Sequence, residues 1–308
     1  MEKINIRAWD GKFNFIYSEA FWRRLTPYLF LLPALFILGL TVFLPALQAF
    51  YLSFTRYDLI GTPEWIGWDN FRKLMGDRIF WKTLGNTLLY LVGVVPILVV
   101  APLGLAILVN RQIRGINWFR AAFYTPVVIS IVVAGIAWKF IYAENGLLNQ
   151  LLKLLGLESI GWLTSPQWAI FSVMAVTIWK GLGYYMVIYL AGLQSISAEL
   201  YEAAAIDGSD GLVKHWDITV PLMRPYLVLV AVISAISATK VFEEVYIMTQ
   251  GQPNNSSKTV VYYLYEQAFK DFQISYGCTI GLVLFLAILG LSLLNLKLLP
   301  GQATAQKI

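Results

Sequence analysis

The sequence predicts an all-α integral membrane protein with six transmembrane helices. Three observations carry that expectation: a composition too apolar for a soluble domain, six apolar runs of span length, and basic residues gathered in the short connections between them. Of 308 residues, 58% are hydrophobic and only 13% are charged, with a mean hydropathy of +0.65. A soluble domain carries roughly 25% charged residues, so most of this surface must face lipid or other helices. The net charge of +5 does not mark a nucleic-acid binder, because the cations sit between apolar runs rather than along one face.

The apolar runs lie at about 26–51, 84–109, 119–142, 168–194, 225–248 and 276–298. Each meets the roughly 20 residues that a helix needs to cross the hydrocarbon core. None alternates apolar with polar residues as a barrel strand would. Pro33, Pro45, Pro96 and Pro102 fall inside runs, and kinks are expected there. The N-terminal apolar run is about twice the length of a signal h-region and lacks an A-x-A site, so no cleaved signal is expected.

Lys and Arg set the orientation. Lys3, Arg7, Lys12, Arg23, Arg24, Arg111, Arg114, Arg120, Lys214, Arg224, Lys297 and Lys307 fall on one side. They outnumber Arg56, Arg72, Lys73, Arg78, Lys82, Lys153, Lys258 and Lys270 on the other. Both termini are therefore expected in the cytoplasm. The division is a cytoplasmic segment 1–25, a membrane domain 26–300 with a cytoplasmic loop at about 195–224, and a tail 301–308. Trp65, Trp68, Trp81, Trp162 and Trp168 flank spans on the outer side, as an interfacial belt would. There is no internal repeat, so any pseudo-twofold must come from a second chain.

The 195–224 loop is the most informative stretch. Ser197 is placed to cap a helix whose first turn holds Glu199. Ala203, Ala204 and Ala205 favour helix while keeping its surface small. Gly208 supplies a positive-φ stop. Ser209 or Asp210 is expected to cap a second short helix that breaks before Pro221. The product is a helix-turn-helix with an acidic, small-residue face.

At these residues the sequence resembles the permeases of binding-protein-dependent ABC importers. Glu202-Ala203-Ala204, followed by Asp207-Gly208 and by Pro221, is similar to their EAA loop. Leu190-Ala191-Gly192-Leu193-Gln194-Ser195-Ile196, Trp68-Asp69-Asn70-Phe71, Asn86-Thr87-Leu88, the run Thr125 to Ser130 and the stretch Ala231 to Gln252 resemble the carbohydrate-uptake branch. Gly251-Gln252-Pro253, where the family usually has Gly-Gly-Pro, and Val220, where Leu is usual, depart from it.

The resemblance implies a type I importer fold with coupling helices between spans four and five. Two homologous permeases would enclose the path, two cytoplasmic ATPases would each accept one loop, and an extracytoplasmic binding protein would deliver the solute. Glu202, Ala203, Ala204, Asp207, Gly208 and Pro221 would couple to the ATPase. The solute stays open among disaccharides, polyols, glycosides and glycerol-phosphate-like molecules. No cofactor is expected on this chain, and ATP would bind the partners. In keeping with that, the sequence has no G-x-x-x-x-G-K-[ST] phosphate cradle.

Ionisable residues inside spans are costly, and usually face a bundle interior or water. Lys139, Lys180, Lys240, Glu243 and Glu244 are such residues. Lys240 is spaced i+3 and i+4 from the two acids, which suits either a structural ion pair or a polar lining. Tyr184, Tyr185 and Tyr246 are candidates to stack on a sugar ring, or alternatively packing residues. Gly181 and Gly183 more often mark close helix packing than a site. His215 and Cys278 are the only histidine and cysteine; His215 is expected in a solvated loop, and no metal site or catalytic constellation is expected. An ion channel or proton-coupled carrier would show acidic rings or inverted repeats, and neither is visible.

Overall fold

The computed structural model describes residues 19–111 and 113–298. Residues 1–18 of the expected N-terminal segment and the tail 301–308 lie outside the described residues. The chain opens with α1 (Glu19–Leu38), a π-helical turn (Gly39–Phe43) and α2 (Leu44–Leu52). A small antiparallel pair, β1 (Thr55–Arg56) and β2 (Glu64–Trp65), sets Thr55 opposite Trp65. Then come α3 (Asp69–Gly76), α4 (Arg78–Val109), α5 (Ile116–Val128), α6 (Ile131–Ile141), α7 (Leu147–Leu154) and α8 (Ala169–Gln194). The remainder is α9 (Ala198–Ile206), a π turn (His215–Thr219), α10 (Val220–Leu222), α11 (Arg224–Thr239), α12 (Glu243–Met248), α13 (Val260–Tyr265), a π turn (Glu266–Lys270) and α14 (Ile274–Leu298).

Among the described residues four helices are long and apolar enough to cross a membrane: Leu25–Leu52, α4, α8 and Ile274–Leu293. Two bent pairs bring the number to six. The third span is α5 plus α6, which meet at 98° across Ile129 and Ser130. It is therefore not the continuous helix that its hydropathy suggests. The fifth run is broken as well: α11 stops at Thr239 and the helix restarts at Glu243, while a 59° bend separates His215–Leu222 at the end of the preceding loop from α11. By contrast, α4 continues as one helix through Pro96 and Pro102.

The core lies where α4, α8 and α11 meet. Tyr90, Val94, Val173, Met186, Tyr189 and Val230 are fully buried there. Close approach depends on glycine. A Cβ on Gly183 would lie 2.1 Å from the Phe123 carbonyl oxygen, and one on Gly192 would lie 2.8 Å from the Tyr226 ring. Gly183 lets two backbones meet nearer than any side chain allows, and Gly192 makes room for the Tyr226 ring. The first span buries none of its apolar length within this chain and leaves it for lipid or a partner.

The end of the bundle opposite the 195–224 loop is tied together by Asp77. As N-cap of α4 its Oδ1 accepts the Ile79 and Phe80 N–H groups at 2.8 and 3.2 Å. Its Oδ2 accepts the Tyr263 and Tyr276 hydroxyls at 2.5 and 2.6 Å. Burial pushes this carboxyl up, but the four hydrogen bonds outweigh it and hold it below its ordinary value.

Candidate functional site

Two regions bear on function. In the first, the 195–224 loop, the local signals act mostly as expected. Ser197 Oγ accepts the Glu199 N–H at 3.3 Å and starts α9. At its end Gly208 has φ +88°, and its N–H and that of Ser209 return to the Ala205 and Ala204 carbonyls at 3.2 and 2.8 Å. That is a Schellman stop, which satisfies carbonyls the helix would leave open. Ala204 is buried, while Glu202, Ala203, Asp207 and Gly208 are exposed.

The return limb differs from expectation. Ser209 and Asp210 do not cap a second helix: Ser209 Oγ donates to Asp217 Oδ2 at 2.6 Å, and Asp210 Oδ1 accepts the Gly211 N–H at 2.6 Å. The helix also does not break before Pro221. A π turn over His215–Thr219 leads into α10, with the Val220 N–H reaching back to the His215 carbonyl. The wider turn accommodates a proline that has no N–H and whose ring would crowd an α-helical carbonyl. His215 is half-buried rather than solvated, its Nδ1 3.0 Å from Thr219 Oγ1. The same hydroxyl lies 3.0 Å from Tyr201 OH, which fastens the return limb to α9.

The second region is a cavity of about 310 Å³ between α4, α5, α8, α11 and α12. Its polar lining is Thr177, Lys180, Tyr184, Tyr185, Ser234, Ser237 and Glu244. Lys180 Nζ donates to the Pro126, Val127 and Ile129 carbonyls at 3.0, 3.2 and 2.6 Å. Thr177 Oγ1 donates to Glu244 Oε1 at 3.3 Å and is hydrogen-bonded to Tyr90 OH. Tyr184 and Tyr185 meet edge to face at 5.1 Å, Tyr184 exposed and Tyr185 buried.

Of the sequence-derived path residues, the fold brings Tyr184, Tyr185 and Glu244 together and leaves three elsewhere. Lys240 and Glu243 are exposed at the break between α11 and α12. Because the helix is interrupted there, the i+3 and i+4 geometry is lost. The ion pairs among the described residues do not include Lys240 with either acid. Tyr246 belongs to a separate aromatic cluster, stacked on Phe242 at 5.4 Å and edge-on to Tyr265 at 5.5 Å.

Thr177, Ser234 and Ser237 are lining residues that sequence reasoning missed. A signal for them existed: Thr177, Lys180 and Tyr184 are spaced i, i+3, i+7 and form one polar stripe on an otherwise apolar helix. Ser234 and Ser237 repeat the i, i+3 spacing on α11.

A bundle with two broken spans and an exposed EAA-type loop invites comparison with known transport proteins. Residues 74–297 match the family described as binding-protein-dependent transport system inner membrane component. The chain belongs to that family.

Relatives of this permease agree along nearly its whole length. It is 36% identical over 282 residues to the arabinooligosaccharides transport system permease protein AraP of Bacillus subtilis, covering 90% of this chain and 89% of the relative. It is 35% identical to the sulfoquinovosyl glycerol transport system permease protein SmoG of Agrobacterium fabrum, covering 85% and 86%. It is 33% identical to the lactose transport system permease protein LacF of Rhizobium radiobacter, covering 87% and 92%. Among solved structures, a bacterial ABC transporter that imports the acidic polysaccharide alginate superposes with a TM-score of 0.80 at 23% identity, covering 91% of this permease and all of that chain. The fold is thus that of an ABC importer permease, a multi-pass inner-membrane subunit.

Proposed function

We propose that this chain is one of two permeases of an ATP-driven carbohydrate importer. With a second, homologous permease it forms the translocation path for a sugar, polyol or glycoside released by an extracytoplasmic binding protein. Two cytoplasmic ATPases, which bind the ATP, drive it through the 195–224 loop. Both termini and that loop face the cytoplasm, and this subunit catalyses no reaction itself.

The observation that carries the reading is the loop's exposed face. Glu202 and Ala203 stand free on α9, and Ile206, Leu212 and Trp216 are 86%, 82% and 74% exposed close by in sequence. Large apolar side chains left exposed on one loop mark a surface for contact with a protein or a membrane. An acid beside them supplies a charge for a basic partner residue. Names of the relatives support the solute class, and the cavity offers what a sugar needs: hydroxyl partners, a carboxylate and tyrosine rings.

The test begins with replacement of Cys278, the only cysteine. Single cysteines at Thr62, Asp207 and Asn254 should then label from outside only at Thr62 and Asn254. Vesicles holding both permeases, both ATPases and the binding protein should take up neutral oligosaccharide only with ATP inside. Outside labelling at Asp207, or uptake without ATP, would refute the reading.

A further inference from the structure

We propose that Lys180 is a positioning residue that holds the third span in its broken form and so sets the opening of the membrane cavity. A helix leaves its last four carbonyls without intrahelical partners, and in the membrane no bulk water is present to satisfy them. The end of α5 faces that problem at Pro126 and Val127, and Ile129 adds a third carbonyl at the 98° bend. One ammonium answers it. Lysine has three N–H donors, and the three carbonyls at 2.6–3.2 Å use all of them. A cation there also complements the negative end of the α5 dipole.

Lys180 can act as a cap only because its helix is seated against α5. Gly183, one turn further along α8, allows the Phe123 backbone to approach as close as it does. The same lysine and Val127 both line the cavity, so the cap and the cavity wall are one structure. With its donors occupied, Lys180 has none left for a solute. Glu244, whose only side-chain donor among the described residues is Thr177, keeps acceptor capacity toward the cavity. The inference rests on the transport reading for the meaning of the cavity, but its test needs no solute.

The full transporter is reconstituted with Cys278→Ala and Val127→Cys, and the rate of reaction with a membrane-impermeant cationic thiosulfonate is measured. Lys180→Met should speed labelling by about tenfold, as expected when charge-assisted hydrogen bonds are lost. Lys180→Arg keeps the donors and should return the rate to within about twofold of wild type. A cysteine at Thr62 in the same backgrounds should label at an unchanged rate, which separates a local opening from general loosening. Should Lys180→Met not assemble, Lys180→Gln carries the test, with a rate between those of wild type and a full opening. Wild-type labelling in Lys180→Met or Lys180→Gln, failure of Lys180→Arg to restore the rate, or a parallel rise at Thr62 would overturn the proposal.

Discussion

In the 195–224 loop, the side-chain hydrogen bonds that shape the helix-turn-helix join residues no more than 18 positions apart. In the cavity, Lys180 reaches back 54 positions to Pro126, Glu244 meets Thr177 across 67, and Thr177 meets Tyr90 across 87. The loop is a self-contained part that a partner can push as a unit. The cavity exists only where five segments of the chain are already packed. Damage to the loop should therefore spare the fold and spoil coupling, whereas damage to the cavity scaffold should cost both.

The sharpest way to break this comparison is at Gly183. Gly183→Val puts a side chain where even a Cβ would lie 2.1 Å from a backbone oxygen that cannot move without its helix. Overpacking of this kind costs about 1–3 kcal/mol and sometimes more. Folded permease recovered by fluorescence-detected gel filtration should fall severely, and a normal yield would show that α5 and α8 are not held as described.

Next in size is Glu202→Lys. The residue is exposed, and the ion pairs among the described residues do not include it, so yield should be normal while ATP-driven uptake falls by about tenfold or more, as a charge-assisted contact is lost and reversed. Co-purification of the ATPases should weaken in parallel. Normal uptake would remove the loop from the coupling path.

A middle-sized effect separates the two neighbouring acids. Glu244→Gln should raise the KM for uptake several-fold per assembled complex, because the carboxylate that faces the cavity is neutralised. Glu243→Gln should be close to wild type, since that side chain is exposed at the helix break and does not line the cavity. The reverse order would return the path to the Lys240–Tyr246 segment.

The smallest effect is expected at Asp77. Its carboxyl lies below its ordinary value of 3.8 in the folded protein, so its contribution is fully present above that value and is lost as pH falls through the lower folded one. Lowering pH from about 5 to about 3 should reduce the Tm of the wild type more than that of Asp77→Asn. Near neutral pH that variant keeps a capping side chain, because asparagine caps as well as aspartate, and should be only modestly less stable through the lost charge at the acceptor of the Tyr263 and Tyr276 hydroxyls. Equal pH slopes would deny the hydrogen bonds their role.

Legibility in the sequence follows the same division. Ser197, Gly208 and the alanines between them were readable because caps and stops depend on the residues within a turn or two. Pro221 reads as a break in the sequence, yet a preceding π turn lets the helix absorb it. The pairing of Lys240 with Glu243 and Glu244 presumed a continuous helix, and that assumption failed at Thr239. Lys180 was visible as a costly charge at membrane depth, but nothing near it in the chain named the carbonyls that it binds.

By itself, then, the sequence determined that six apolar stretches cross a membrane, which charges lie between them, and where the first helix of the 195–224 loop begins and ends. These are properties of composition and of neighbours along the chain. Only the tertiary structure decided that the third and fifth spans are broken, that Glu244 rather than Glu243 faces the cavity, and that Tyr246 stands apart from Tyr184. A helix in lipid can be interrupted only if something satisfies the carbonyls it frees. Here that something is an ammonium more than fifty residues away in the chain, and hydropathy cannot foretell which segments folding will bring side by side.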